Sequence, residues 1–350
     1  MRILVFGAGP LGSLLAARLS QGGQKVTLLA RGQRLADLRA HGIHLKSWES
    51  GTEEAVQVDL IETLRPDDRY DLVVVVMRKN SALKALPALA ANISPLFLFL
   101  MNNAAGPAKL VEAIGADRVL TGFMGAAGYR EADTIVYINA EPDRPGVIYL
   151  GEPGGGITPR LLALAEELGK GKHIQVKTVE KMDAWLKYHA AILFPAFAPA
   201  LYLCGDDHLR FVRTRDALIL GWRGTREALR VLKRLGIPPT PAIINAFYYL
   251  PEPLAVWLLA RMLRDPRMEV AVARHAKVIR DEIQQLNQEF LQLVERSGFF
   301  TPTILFLTSQ FNQRAASLPD GSRSLRMDWS GVLIPLMLLV LAGLMLLLIL

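Results

Sequence analysis

Four consecutive apolar residues, Ile3 to Phe6, follow Arg2; unbroken runs of the same form return at residues 72–77 and 96–101, and further strand candidates stand at 25–30 and 119–122. A short unbroken apolar run is the form of a strand covered on both faces, because a strand with one wet face alternates instead. The stretches between these runs have helical composition. Short strand, helix and short strand in repetition predict a doubly wound parallel sheet. Residues 134–140 and 146–151 read as a hairpin pair closing the far side of that sheet. Beyond residue 157 the pattern turns helical, at 158–169, 181–203, 215–235, 253–264 and 268–297. The expected fold is an α/β domain over residues 1–178 followed by an all-α domain over residues 179–308.

The last stretch, residues 331–350, departs from these patterns because it carries no charge at all. As a helix it would extend about 30 Å, the thickness of a bilayer's hydrocarbon core. Trp329 sits where an interfacial aromatic belongs, and a proline such as Pro335 is tolerated in membrane helices. Residues 309–330 are polar and read as a stem. Arg314, Arg323 and Arg326 precede the span, so the positive-inside tendency places the preceding domains in the cytoplasm. The expectation is a single-pass C-terminal transmembrane helix with the lipid bilayer as partner; an interface helix in an oligomer is the alternative.

Composition narrows the class without redirecting it. A chain of 350 residues suits about two domains and an appendage. The one cysteine, Cys204, excludes an internal disulfide and a thiolate zinc cluster, and no metal site is expected. A net charge of +7 is spread among acidic residues without an aromatic and basic stripe, so no nucleic-acid partner is expected. The opening residues do not have the form of a secretory leader, since a single Arg precedes an apolar run that turns at once glycine-rich.

That glycine-rich turn carries the first chemistry. Gly7-Ala8-Gly9-Pro10-Leu11-Gly12 matches G-x-G-x-x-G between a strand and a helix, with a second strand at residues 25–30. The first glycine permits the tight turn, the second lets backbone approach a pyrophosphate, and the third lets the helix pack close. The amides of the helix that follows point toward the phosphates. Gly7, Gly9, Pro10, Leu11 and Gly12 are therefore the expected cofactor cradle of a Rossmann domain. After the second strand stands Arg31 where an NAD site usually places an acid. A guanidinium there suits a 2′-phosphate, so the expected cofactor is NADP(H).

With these landmarks in order, the chain resembles the ketopantoate reductase (2-dehydropantoate 2-reductase) family over roughly residues 1–305. The resemblance is carried by GAGPLG, LLARGQRL, VVVVMRKN, MNNAAG, YLGEP, WLKYHAAI and RDEIQQLNQEFLQLVERSG. It implies NADPH-dependent reduction of a 2-oxo acid to a secondary alcohol, as in pantothenate synthesis, with a homodimer left open. It also implies that Lys187, two positions after Trp185, is the proton donor, and that Glu282, followed by Ile283 with Gly298 sixteen residues on, orients substrate. On the residues alone, Lys187 could equally be an exposed helix lysine and Glu282 a surface acid. Asn102 is the matching amide beside the nicotinamide, with Asn103 where glycine is usual. Arg78 stands in the place of the family's cofactor-side lysine, unless Lys79 serves after a one-residue shift.

The chain departs from the family where substrate is gripped. Asparagines expected four and eight residues after the lysine are Ala191 and Pro195, and a serine pair is Val270 and Ala271. A pocket lined with alkyl groups discriminates poorly. His275, seven residues before Glu282, reads either as a new carboxylate-binding partner or as part of a salt-bridged surface helix. A second reading of the whole follows from these losses: a non-catalytic, membrane-tethered NADP(H)-binding sensor or scaffold.

Overall fold

A computed structural model of the chain describes residues 1–273, 280–313 and 318–349, with side chains excepted at 273, 339 and 342–349. The chain divides into two compact units, Met1–Ala190 with Glu269–Phe290, and Ala191–Met268 with Leu291–Leu350. His275 lies outside the described residues.

The first unit contains β1 (Arg2–Phe6), α1 (Pro10–Gln21), β2 (Lys25–Leu29), α2 (Gly32–His41), β3 (Ile43–Ser47), β4 (Glu53–Val56), β5 (Asp59–Ile61) and β6 (Leu72–Val75). It continues with α3 (Lys79–Ala91), β7 (Phe97–Leu100), α4 (Ala108–Ile114), β8 (Val119–Gly125), β9 (Ala127–Glu131) and β10 (Thr134–Ile138). Then come β11 (Gly146–Gly151), α5 (Pro159–Gly169), β12 (Ile174–Thr178) and most of α6 (Met182–Ile192). The main sheet runs β12-β11-β8-β7-β6-β1-β2-β5. From β5 across to β8 every neighbour is parallel. In sequence order these six strands read 3-2-1-4-5-6, the order of dinucleotide-binding sheets, and it reverses between β1 and β6.

Alternation within each strand shows why the apolar runs are unbroken. Ile3, Val5, Val74, Leu98 and Leu100 join one core cluster, while Leu4, Phe6, Val73, Val75, Phe97 and Phe99 join another. Successive side chains point to opposite faces, so both faces are dry.

Two expectations are corrected. Residues 134–140 and 146–151 do not form a hairpin. β10 lies in a separate four-stranded sheet, β4-β3-β10-β9, while β11 pairs antiparallel with β8 and parallel with β12. β10 instead closes an antiparallel hairpin with β9. Only Ala132 and Asp133 link those two strands, Ala132 at φ 50°, and so short a turn outcompetes the longer connection to β11. The expected helix over 181–203 also breaks. α6 ends at Ile192, and a wider-turned stretch, Leu193–Phe197, precedes α7 (Ala198–Tyr202). Pro195 has no N–H to give and its ring crowds the preceding carbonyl, which opens the helix there.

Every regular element of the second unit's described residues is a helix, with α8 (His208–Arg213), α9 (Arg215–Arg234), α10 (Ile244–Tyr248) and α11 (Glu252–Leu263). α12 (Arg280–Ser297) ends in it, followed by α13 (Pro302–Gln313) and α14 (Ser330–Ile349). α9 is its axis, burying Ala217, Leu218, Ile219, Ala228 and Leu232. From the same helix, Glu227 accepts from the amides of Thr303 and Ile304 at 3.0 and 2.9 Å, placing an anion at the positive end of α13.

Among the described residues no helix is long and apolar enough to cross a membrane. The backbone of α14 is helical from Ser330 to Ile349, but the side chains of residue 339 and residues 342–350 are not among those described. Much of the expected span therefore lies outside them.

Candidate active site

In a doubly wound sheet, ligands bind beyond the carboxyl ends of the strands where the order reverses. Here β1 runs into Gly7, β6 into Arg78 and Lys79, and β7 into Asn102 and Asn103, all at that edge.

The glycine turn is built for close backbone approach. Gly7 has φ +126°, and a Cβ on it would meet the Val76 carbonyl oxygen at 2.5 Å. A Cβ on Gly12 would stand 1.9 Å from the Gly7 carbonyl oxygen. Gly9 differs, since a Cβ there would have nothing within 4 Å. Gly9 caps α1, and Pro10 occupies its first turn. This leaves an open, amide-lined space at a helix N-terminus, which fits the pyrophosphate of a dinucleotide. Arg31, exposed at the start of α2, donates from Nε to the Glu62 carbonyl at 3.3 Å. Its guanidinium is otherwise turned to solvent. Arg34 reaches back to Ser13 of α1, donating to Oγ at 3.3 Å.

Lys79, not Arg78, enters the interior. Lys79 is 3% exposed. Its Nζ donates to Asn103 Oδ1 at 2.6 Å and to Glu289 Oε2 at 2.7 Å. Burial lowers its pKa below the ordinary lysine value, and the Lys109 and Lys187 charges push the same way, against Glu289. Glu282 is buried as well, and its Oε1 accepts from the Lys79 amide at 3.3 Å. Burial raises the Glu282 pKa. Arg78 is held outside this group by Asp281 at 3.0 Å, and Asn80 donates to the same carboxylate at 2.8 Å.

The asparagines divide in the same manner. Asn103 is the connector: besides accepting from Lys79, its Oδ1 accepts from the Gly106 amide at 3.0 Å and its Nδ2 donates to the Gly106 carbonyl at 2.9 Å. Asn102 Oδ1 is buried without a partner, an acceptor that suits an amide such as that of a nicotinamide.

α6 supplies the second lysine. Met182, Trp185 and Leu186 pack with Phe123 of β8 and Tyr149 of β11. Trp185 stacks on Tyr149 with centroids 4.7 Å apart, and His189 lies 4.3 Å from Phe123. These positions, at spacings of three and four, form one helix face. Burial there depresses the His189 imidazole to about 4, so it is neutral packing and not an acid. Asp183 and Lys187, also four apart, form the adjoining face and are ion-paired. A Cβ on Gly106 would be 3.2 Å from Lys187 Nζ and 3.0 Å from Asp183 Oδ1. Gly106, at φ +88°, is thus the point where the Lys79–Asn103 group meets the Lys187–Asp183 pair.

The structure therefore gathers Lys187, Glu282 and the glycine turn at one sheet edge, and leaves Arg31 and Arg78 exposed. It adds Lys79, Asn103, Asp183 and Glu289 to the site. Glu289 carries a sequence signal of its own: it stands seven residues after Glu282, two turns along the same helix face. Of the residues replacing the family's polar groups, Ala191, Pro195 and Val270 are buried and Ala271 is half-buried. Among the described residues no group of His, Cys, Asp or Glu could hold a metal ion.

Comparison with known proteins agrees with this geometry. Residues 3–155 match the family model described as Ketopantoate reductase PanE/ApbA. A 2-dehydropantoate 2-reductase of Mesorhizobium japonicum is 26% identical over 257 residues, covering 68% of this chain and 77% of the relative. The fold is shared with a 2-dehydropantoate 2-reductase of Geobacter metallireducens, at TM-score 0.71 and 18% identity, covering 90% of this chain and 100% of that one. It is shared equally with a D-mandelate dehydrogenase solved with NADH and anilino(oxo)acetate, at TM-score 0.73 and 16% identity, covering 90% and 98%. The chain is thus similar to ketopantoate reductases: its residues 3–155 match their family model, and it shares their fold.

Proposed function

We propose that this protein is an NADPH-dependent reductase that converts a ketone to a secondary alcohol in the manner of 2-dehydropantoate 2-reductases. The observation that carries the reading is Lys187: an ammonium 12% exposed, held by Asp183, meeting Lys79 and Asn103 through Gly106 at the edge where the glycine cradle opens. A bound reduced nicotinamide would supply hydride to the carbonyl carbon. As that bond forms, the carbonyl π electrons move onto oxygen, and Lys187 gives up one N–H proton to that oxygen. Asp183, ion-paired with Lys187, holds the ammonium in place. Glu282 stands ready to hold a substrate hydroxyl, and Asn103 fixes the loop beneath.

The test is NADPH oxidation matched mole for mole by alcohol formed, across a panel of ketones, with NADH run in parallel. Turnover favouring NADPH is expected, and Arg31→Ala is expected to cost NADPH about 1.5–3 kcal/mol of binding while sparing NADH, the scale of a hydrogen bond to a charged group. Equal loss for both cofactors removes Arg31 from the 2′-phosphate. Tight NADPH binding with no oxidation of any ketone would favour the sensor instead.

The reading extends to location. Residues 331–350 are proposed to anchor the enzyme in a membrane with its folded units on the cytoplasmic side, supported by a helical backbone without one charged residue and by exposed Leu333, Ile334, Met337 and Leu338. Wild type is then expected in carbonate-resistant membranes. Leu339→Arg with Leu346→Arg, adding roughly 5–7 kcal/mol of insertion cost at most, would release it to the soluble fraction. Wild type found soluble would end the anchor proposal and leave the reductase proposal standing.

A further inference from the structure

The polar stem that precedes the apolar span is not a free tether. Within the second unit, residues 318–329 are strapped along α8, α9 and the start of α11. Arg210 donates to the Leu318 carbonyl at 2.6 Å, and Arg213 to Asp320 at 2.6 Å. Asp216, 3% exposed, accepts from the Ser324 and Leu325 amides at 2.8 and 3.0 Å. Glu252, 2% exposed, is paired with Arg223 and accepts from the Asp328 amide at 2.9 Å. Buried carboxylates are costly unless hydrogen-bonded, so these contacts fix where the stem ends. It ends beside Pro251, where a Cβ on Gly331 would stand 3.3 Å from the proline Cβ. The apolar helix α14 therefore leaves the second unit at the junction of α10 and α11.

Those two helices expose apolar residues on the side that a surface helix keeps polar. α11 buries Ala255, Val256 and Leu263, yet Leu254, Trp257, Leu258 and Met262 on its other side are exposed, Trp257 by 57% and Met262 by 52%. Spacings of three and four set these four and Arg261 on one face, and a helix apolar on both sides belongs in a core or against lipid. Phe247 and Tyr249, both exposed, extend the face across the Pro251 junction. Charge accompanies it. From Ala228 to Arg264 the chain holds Arg230, Lys233, Arg234, Arg261 and Arg264 against one acid, the buried Glu252. Lys233 Nζ lies 4.9 Å from the Tyr248 ring centre, and the Arg261 guanidinium 6.0 Å from that of Trp257. Aromatic rings flanked by cations suit the headgroup boundary of a bilayer, where the ring meets acyl chain and the cation meets phosphate.

We propose that the α10–α11 face is a membrane-docking surface that lies on the headgroups of an anionic leaflet, beside the point where α14 enters it. The proposal rests on the anchor reading for its orientation and deepens it: the second unit sits down on the bilayer instead of swinging on a stem. A basic face agrees with the cytoplasmic leaflet, which carries the anionic lipids. A second copy pairing through this face would set its cations against their own kind, whereas lipid phosphates complement them.

The experiment uses the full chain with its span disabled by Leu339→Arg and Leu346→Arg, so that surface binding is read without insertion. Carbonate strips a protein held only at the surface, so this variant still leaves carbonate-washed membranes. In low salt it is expected to sediment with vesicles of equal parts phosphatidylcholine and phosphatidylglycerol, and at least tenfold less well with phosphatidylcholine alone. Adding Trp257→Glu and Met262→Glu should weaken anionic-vesicle binding at least tenfold with the melting temperature unchanged, since both positions are exposed. Leu162→Glu, exposed on α5, should leave binding as it was. A second readout uses the wild-type chain in the same anionic vesicles: a lipid-phase carbene probe should label residues 243–262 as well as 331–350. Labelling confined to 331–350, or a folded span-disabled chain that ignores anionic vesicles, would overturn the docking face and leave the anchor standing. Wild type released by carbonate, with anionic-vesicle binding intact, would end the anchor and keep the docking face. A dimer formed without lipid and broken by Trp257→Glu with Met262→Glu would assign the face to a second copy and overturn the proposal.

Discussion

Turnover in Lys187→Ala is expected to fall about 10²–10⁴-fold, the range ascribed to a positioned general acid, with NADPH affinity unchanged. The separation follows from placement. Lys187 is on α6, and its contacts are with Asp183 and the Gly106 turn; the glycine cradle lies on a different loop. Lys187→Ala leaves the Asp183 carboxylate, 34% exposed, without its cation, a smaller penalty than stranding a fully buried charge. Stopped-flow measurement of NADPH oxidation beside fluorescence titration of the cofactor separates the two quantities. An alanine variant that turns over within a few-fold of wild type would remove Lys187 as proton donor. Lys79 is the less informative position, because its loss strands Glu289 in the interior.

A second large effect is expected at the glycine turn, where two substitutions should part company. Gly9→Val has room in the folded chain, with nothing within 4 Å of the new Cβ, so thermal stability should stay near wild type. The same side chain fills the space a pyrophosphate needs, and NADPH and NADH affinity should both fall by 100-fold or more, about 3 kcal/mol. Gly12→Ala instead sets a Cβ 1.9 Å from a backbone oxygen that cannot rotate away. It should destabilise the fold itself by about 1–3 kcal/mol or more, the cost of overpacking. Melting curves with and without cofactor distinguish the pair. Gly9→Val that binds either dinucleotide normally would show that the open space is not the phosphate site.

What could be read from residues alone follows from how local each constraint is. The apolar runs at β1, β6 and β7 name a two-faced sheet because each strand must be dry on both sides, a demand met within four or five residues. The spacing of Gly7, Gly9 and Gly12 is legible for the same reason: the turn that needs them is six residues long. Partner choice is not local. Nothing in residues 134–138 says whether β9 or β11 lies alongside, and the two-residue turn at Ala132 and Asp133 decides it. Adjacent candidates posed a finer problem. Arg78 and Lys79, like Asn102 and Asn103, are chemically similar neighbours, and which one turns inward depends on how the first turn of α3 and the end of β7 are seated. Glu289 was readable by helical spacing, but only with a reason to look for a carboxylate opposite a buried lysine.

The first unit is assembled from two stretches of chain, and this has a consequence in time. Its glycine turn needs nothing beyond the opening strands: a Cβ on Gly7 would meet Val76, and one on Gly12 would meet Gly7. The reacting edge cannot close so early, because Lys79 and its carboxylate Glu289 are 210 residues apart. With translation at about 5–20 residues per second, the lysine waits on the order of ten to forty seconds for its counter-charge. Through that interval an ammonium that ends up 3% exposed must remain hydrated. The glycine turn can therefore form well before the edge proposed for catalysis, and the arrival of Glu282 and Glu289 is the event that closes the latter around Lys79.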